Sequence, residues 1–250
     1  MIKPAIEVDA INFKYDSGFH LEDVTFKVDK NSIYALIGNN GSGKTTILRL
    51  LVGLIWPTSG GIKIFNDPLS KNKMKLWEIR KQIGFLFQNP DDQLFAPTVG
   101  EDVAFGARNL KLTEEGVKDR VDWALNAVNL TEYKNYSPFD LSWGQKKRVA
   151  LAGLLVMKPR LLILDEPFAN LDFKSIYNHL EILENLRKNQ DLTIIFTTHN
   201  MFFVENWADK MVFIDDGHVI FEGSPQEGLQ DENVLKSLSS YNEILHLLKK

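Results

Sequence analysis

The sequence has 250 residues, of which 44% are hydrophobic and 25% charged, and it contains no cysteine. That composition is globular and excludes collagen-like, disulfide-scaffold and disordered classes, and the missing thiols exclude disulfides, thiol nucleophiles and thiolate metal sites. With 29 Lys and Arg against 33 Asp and Glu, the net charge of −4 provides no global basic field for nucleic acid.

The opening residues Met1-Ile2-Lys3-Pro4-Ala5-Ile6-Glu7 lack the long apolar region of a signal peptide. The apolar run 149–157 falls far short of the roughly 18–20 residues that span a bilayer, so a soluble, cytoplasmic chain is expected. Segments 5–13 and 21–28 read as strands joined by a Ser17-Gly18 turn. The run 33–37, Ile-Tyr-Ala-Leu-Ile, is almost wholly apolar, which suits a strand covered on both faces in a parallel sheet. Runs 83–87, 161–164 and 192–196 have the same character, and helical patterns follow Gly43 and fill 173–187. Alternating strands and helices predict an α/β fold with a parallel sheet. The stretch 89–159 departs from this, reading as helices over 99–108, 114–128 and 144–157, a helical subdomain inserted in the core. Segments 211–214 and 219–221 flank Asp215-Asp216-Gly217-His218 as a hairpin, and 224–250 reads as polar helix.

Gly38-Asn39-Asn40-Gly41-Ser42-Gly43-Lys44-Thr45 fits the pattern G-x-x-x-x-G-K-[ST], after a buried strand and before a helix, with Thr46 the next candidate contact to the nucleotide. The glycines let successive backbone N–H groups turn inward as an anion nest, and the helix points its positive end at phosphate. Lys44 would reach the β- and γ-phosphates of a nucleotide, and the Thr45 hydroxyl would bind Mg²⁺. The bland alternative is a glycine-rich turn with an exposed lysine.

An apolar strand, 161–164, ends in Asp165 and Glu166. Asp165 would hold Mg²⁺ through water, and Glu166 would orient or deprotonate the attacking water. Gln88 and His199 also close apolar runs, where strand carboxyl ends converge on a ligand in an open α/β sheet. Tyr15 could stack on a purine, or serve as a rim or core tyrosine.

Leu141-Ser142-Trp143-Gly144-Gln145 precedes Lys146-Lys147-Arg148 and a helix. Taken with the loop 38–45, Gln88, the acidic pair, Ala169-Asn170-Leu171-Asp172 and His199, the chain resembles the ATP-binding-cassette ATPases over roughly residues 5–225. The resemblance implies a P-loop NTPase fold of that type: a RecA-like parallel sheet core with an N-terminal antiparallel β subdomain and an inserted helical subdomain. It divides the chain into a nucleotide-binding core (1–88 and 159–225), a helical signature subdomain (89–158) and a C-terminal helical extension (226–250). It implies MgATP as cofactor, with Thr45, Gln88 and Asp165 around the metal and Glu166, His199 and Gln88 in the catalytic group. It further implies head-to-tail pairing, in which Ser142, Gly144, Gln145 and Asp172 serve ATP held by a second subunit, identical or a sister chain.

Two positions depart from the family pattern. Trp143 stands where the family has Gly, and would be strained if that position needs positive φ but tolerated if φ is ordinary. Phe168 replaces the Thr common after the Walker B Pro.

The longer segment from Gln88 to Gly106 looks like the ATPase component of energy-coupling factor importers, and Asp91-Asp92-Gln93-Leu94-Phe95 within it leans to cobalt or nickel systems. That implies a transmembrane scaffold and a substrate-binding membrane protein as partners, at the cytoplasmic face of the membrane. Leu94, Phe95 and Pro97 would anchor the scaffold, or pack on the chain's own helices. The five histidines (20, 179, 199, 218, 246) show no ligand spacing, so a metal cargo would not be bound here. Lys71, Lys73, Lys75, Arg80 and Lys81 read as a solvated basic face, with a lipid or nucleic-acid contact the alternative. The stripe Val234, Leu238, Tyr241, Leu245 and Leu248 reads as packing on the parent domain, with dimer contact the alternative. Outside transport, the sequence also admits a soluble ATP-driven clamp or, because of Trp143, a degraded regulatory cassette.

Overall fold

The computed structural model describes residues 4–189 and 191–238. In chain order the elements are β1 (Pro4–Lys14), β2 (His20–Asp29), β3 (Ile33–Ile37), α1 (Lys44–Leu51), β4 (Ser59–Ile64), β5 (Asp67–Pro68), α2 (Lys73–Arg80), β6 (Ile83–Leu86), α3 (Val99–Asn109), α4 (Glu114–Ala127), α5 (Trp143–Leu155), β7 (Leu161–Leu164), α6 (Phe173–Asn189), β8 (Thr193–Thr197), α7 (Met201–Trp207), β9 (Lys210–Asp215), β10 (His218–Gly223), α8 (Pro225–Gly228) and α9 (Glu232–Ser237). They gather into two compact units, one of Met1–Leu76 with Thr193–Lys250 and one of Trp77–Leu192.

The first unit contains the antiparallel sheet β2-β1-β4-β5. Val24, Phe26 and Val28 of β2 are buried at every second residue, the period that puts one face of a strand on a core. The register between β1 and β2 shifts between Val8 and Ile11, where Ala10 takes φ 47, a bulge that bends the strand. A second set of strands runs β10-β9-β3-β8, with β3 parallel to both β8 and β9 and the β9–β10 hairpin antiparallel. Every residue of β3 and β8 is buried, including Thr193 and Thr197 at the ends of β8, as in strands covered on both faces. Leu36 lies beside Thr197, so the loops after β3 and β8 leave the sheet at the same edge.

In the second unit β6 and β7 pair in parallel, from Ile83 beside Leu161 to Leu86 beside Leu164. Their connection is helical, through α3, α4 and α5. Thr98, Thr113 and Ser142 cap these helices, each side-chain oxygen accepting a backbone N–H of the first turn. On α4, Val117, Val121, Ala124 and Leu125 form the buried stripe expected of an amphipathic helix.

Beyond the expected elements come β4, β5, α2 and α7. Gly60 and Gly61 hide the strand character of β4, which is imposed by pairing with β1. Only Ile79 of α2 is buried, so its sequence carries no apolar period. Val234 is buried on α9, whereas Tyr241, Leu245 and Leu248 of the C-terminal stripe lie outside the described residues. Among the described residues, no helix is long and apolar enough to cross a membrane.

Candidate active site

In the first unit the loop 38–43 joins β3 to α1, and Gly43 occupies the N-cap of α1 with φ 109. A Cβ there would meet Leu21 Cδ2 at 2.6 Å and the Phe19 ring at 2.8 Å, so both conformation and space call for glycine. Lys44 is nearly buried, and its Nζ donates to the carbonyls of Gly38 (2.8 Å) and Asn39 (2.9 Å), which hold the ammonium over the loop. The Ser42 hydroxyl is buried with no hydrogen-bond partner, an orphan polar atom in a loop whose sequence is that of an anion nest. Asn40 and Gly41 are exposed, Thr45 is half-buried and Thr46 is buried. His199 follows β8 on the same sheet edge and is exposed. Tyr15 lies in the turn after β1, half-exposed, edge-on to Phe13 with centroids 4.7 Å apart.

In the second unit the β6–β7 register puts Gln88, Asp165 and Glu166 beyond the carboxyl ends of two paired strands. Asp165 is 6% exposed and its backbone N–H donates to Leu86 O at 2.9 Å. Glu166 is half-buried and takes φ 46, a left-handed conformation that costs a non-glycine residue about 1 kcal/mol. Gln88 is exposed.

Ser142 and Gln145 form a capping box at the start of α5: Gln145 N–H donates to Ser142 Oγ at 3.3 Å, and Ser142 N–H to Gln145 Oε1 at 2.9 Å. The pair therefore builds the helix end that the sequence reading aims at phosphate. Gly144 is buried, and a Cβ on it would come 2.7 Å from Ser175 Oγ. Asp172 accepts the Ser175 N–H at 2.7 Å, which holds its exposed carboxyl below the usual range. Trp143 opens α5 with ordinary helical φ, so the position does not need glycine and the strain considered above does not arise. Trp143→Gly is accordingly expected to leave ATP turnover within about twofold, while costing up to about 1 kcal/mol in urea unfolding. Phe168 is buried, its ring taken up by packing. Leu94 is buried as well, so of the three expected surface anchors it faces inward, leaving Phe95 and Pro97 exposed.

Four residues escaped the sequence reading as site elements: Ser237, Ser175, Lys147 and His179. Asn39 Nδ2 donates to Ser237 O (3.2 Å) and Oγ (3.1 Å), tying the phosphate loop to the end of α9. His179 is 1% exposed; its Nδ1 lies 3.0 Å from Ser175 O and its Nε2 has no partner. Burial, reinforced by the cations of Lys147 and Arg148, lowers its pKa to about 4. Between pH 6.5 and about 4 the unfolded chain therefore binds the proton that the folded chain refuses. Stability present above pH 6.5 is lost as pH falls through that window, by about 3 kcal/mol at its lower end. Urea unfolding should show this slope in the parent and lose it in His179→Leu.

A family model described as ABC transporter matches residues 21–169. The chain is 42% identical over 246 residues to a Methanocaldococcus jannaschii protein named energy-coupling factor transporter ATP-binding protein EcfA, covering 98% of this chain and 88% of that one. It is 38% identical over 254 residues to EcfA1 of Caldanaerobacter subterraneus, covering 98% and 91%. Among solved structures, cbiO1 of Clostridium perfringens, described as part of the ABC transporter complex cbiONQ, aligns with a TM-score of 0.85 and 36% identity over 99% of this chain and all of that one. An ATP-binding cassette solved as a post-hydrolysis dimer with ADP and Pi aligns with a TM-score of 0.80 and 26% identity over 88% and 98%.

Proposed function

We propose that this chain, which belongs to the ABC transporter family, is the ATP-hydrolysing subunit of an energy-coupling factor importer for a vitamin or a transition-metal ion, with a lean to cobalt or nickel. The chain is an ATP hydrolase of the ABC type. The observation that carries the importer reading is identity of about 40% across almost the whole chain to relatives named as energy-coupling factor ATPases.

Each half of the chemistry has support within its own unit. The loop 38–45 offers backbone donors, the Lys44 ammonium and the orphaned Ser42 hydroxyl to ATP phosphates. Mg²⁺ suits the proposed donors, since the Thr45 hydroxyl, Gln88 amide and Asp165 carboxylate are hard oxygens. Mg²⁺ prefers one or two carboxylates together with phosphate oxygens and water, and among the described residues no cluster of three His, Cys, Asp or Glu competes for it. When bound, the ion neutralises charge developing on the β- and γ-phosphates. Glu166 takes the proton of the attacking water, and His199 and Gln88 position that water and the γ-phosphate. Tyr15 offers a ring face to the purine.

Pairing is proposed head to tail, with Ser142, Gly144, Gln145 and Asp172 of one subunit completing the ATP site of another. The relative solved as a dimer supports this, as do Phe173 and Tyr177, 92% and 66% exposed just after Asp172. Phe95, 60% exposed and edge-on to Phe105, offers an apolar anchor to a transmembrane scaffold, which would hold the chain at the cytoplasmic face of the membrane.

Expression together with the membrane proteins encoded beside it tests the reading. Detergent extracts should yield the chain bound to a small transmembrane scaffold and a substrate-binding protein, and vesicles containing the complex should take up labelled cobalt or nickel only with MgATP. Recovery of the chain as a membrane-independent ATPase would favour the soluble clamp. A complex that accumulates a vitamin and neither metal would keep the importer and remove the metal.

A further inference from the structure

Lys147 lies two residues beyond Gln145 on α5 and is completely buried. Its Nζ donates to three backbone carbonyls of one turn, Glu166 O at 2.9 Å, Pro167 O at 3.1 Å and Ala169 O at 3.0 Å. An ammonium has three N–H donors, and here each has its own acceptor. The turn they hold contains two non-glycine residues in left-handed conformation, Glu166 at φ 46 and Asn170 at φ 61. Such conformations persist only where the surroundings impose them. One backbone bond closes the turn from within, Ala169 N–H to Glu166 O at 3.1 Å, and Lys147 gathers the carbonyls from outside.

A charge this deep is costly to bury, and the burial pulls the Lys147 pKa down to about 8, against the attraction of Glu166 and Asp165. His179 on α6 also senses the charge, and burial keeps that histidine neutral. A fold in need of packing alone would be served better here by an apolar side chain. The geometry supplies the use of the charge: convergence of backbone carbonyls at the residue that carries the acid.

We infer that Lys147 is a positioning residue for hydrolysis, clamping the carbonyls of Glu166, Pro167 and Ala169 so that the Glu166 carboxylate leaves the turn in its working direction. The inference rests on the proposed role of Glu166 as the base. It also makes α5 a mechanical link: the helix that starts at Ser142 and Gly144 grips, one turn later, the segment holding the base. Displacement of that helix end is thereby passed to Glu166 through bonds of about 3 Å.

The test compares steady-state and single-turnover ATP hydrolysis, ATP binding and unfolding in the parent, Lys147→Met and Lys147→Arg, each also in a Glu166→Gln background. Lys147→Met should lower kcat about ten- to a hundred-fold, as loss of an orienting partner does, with KM and ATP Kd within about twofold. Lys147→Arg, which keeps a charged multi-donor head, should recover part of the loss. In the Glu166→Gln background Lys147→Met should change single-turnover rates by less than about twofold, because the group it positions is gone. Parental kcat in Lys147→Met, equal losses of kcat and ATP affinity, or a loss that adds to that of Glu166→Gln would each overturn the clamp. If Lys147→Met does not fold, Lys147→Gln, with two donors, is carried through the same comparison and judged by the same outcomes. Parental turnover by Glu166→Gln alone would remove the base itself, a result separable from any result at Lys147.

Discussion

Glu166→Gln is expected to reduce ATP turnover by about a hundred- to a thousand-fold while ATP affinity stays within about twofold. The amide has the size and reach of the carboxylate and can still hydrogen-bond a water, so ground-state binding is preserved. It cannot take the proton released as water attacks phosphorus, so the interaction removed is one made mainly in the transition state. The strained backbone argues in the same direction. A residue at φ 46, in a turn whose Glu166, Pro167 and Ala169 carbonyls all accept from Lys147, has its side-chain direction set by the fold, so little is lost to reorganisation. If hydrolysis opens a closed pair of subunits, the variant should accumulate as an ATP-bound dimer that elutes ahead of the parent on size exclusion. Phosphate release at the parental rate would end the assignment.

Much of this arrangement is legible in the sequence, and the reason is local. The runs 33–37 and 161–164 are apolar throughout because both faces of β3 and β7 are covered, and a strand of that kind needs no partner to be recognised. The loop 38–45 is legible because its glycines answer to backbone geometry, and Ser142, Gly144 and Gln145 are legible through the family resemblance that residues 141–145 carry. What the sequence withholds is set by distant partners. Lys146, Lys147 and Arg148 are three consecutive cations, yet their fates differ. Lys146 pairs with Asp91 at 2.8 Å, Arg148 donates to Val128 O at 3.1 Å, and Lys147 is buried beneath a turn about twenty residues on. Leu94 and Phe95 are equally apolar neighbours, and only the packed structure separates the buried one from the exposed one. The left-handed Glu166 carries no signal either, since nothing in Leu-Asp-Glu-Pro marks a non-glycine residue for positive φ.

Lys44→Ala is expected to weaken ATP binding by about 2–4 kcal/mol, the usual cost of removing one partner of a desolvated charge pair, or roughly 30- to 700-fold in Kd. The ammonium spans the loop by bonding Gly38 O and Asn39 O, so the loop itself sets its direction. Little side-chain entropy remains to be lost on binding, which places the effect toward the upper part of that range. The variant frees two loop carbonyls and leaves the buried Ser42 hydroxyl of the same loop still without a partner. Thermal unfolding separates a binding defect from a folding defect. At ATP about a hundred times the parental Kd, the parent gains about 2.7 kcal/mol from mass action, and the variant should gain about 1 kcal/mol or less. The unfolding temperatures without nucleotide report the folding cost of the substitution by itself, and the ATP-dependent shift is read against them. A variant that kept the full ATP-dependent shift would show that backbone donors alone hold the phosphates, with Lys44 reduced to a brace for the loop.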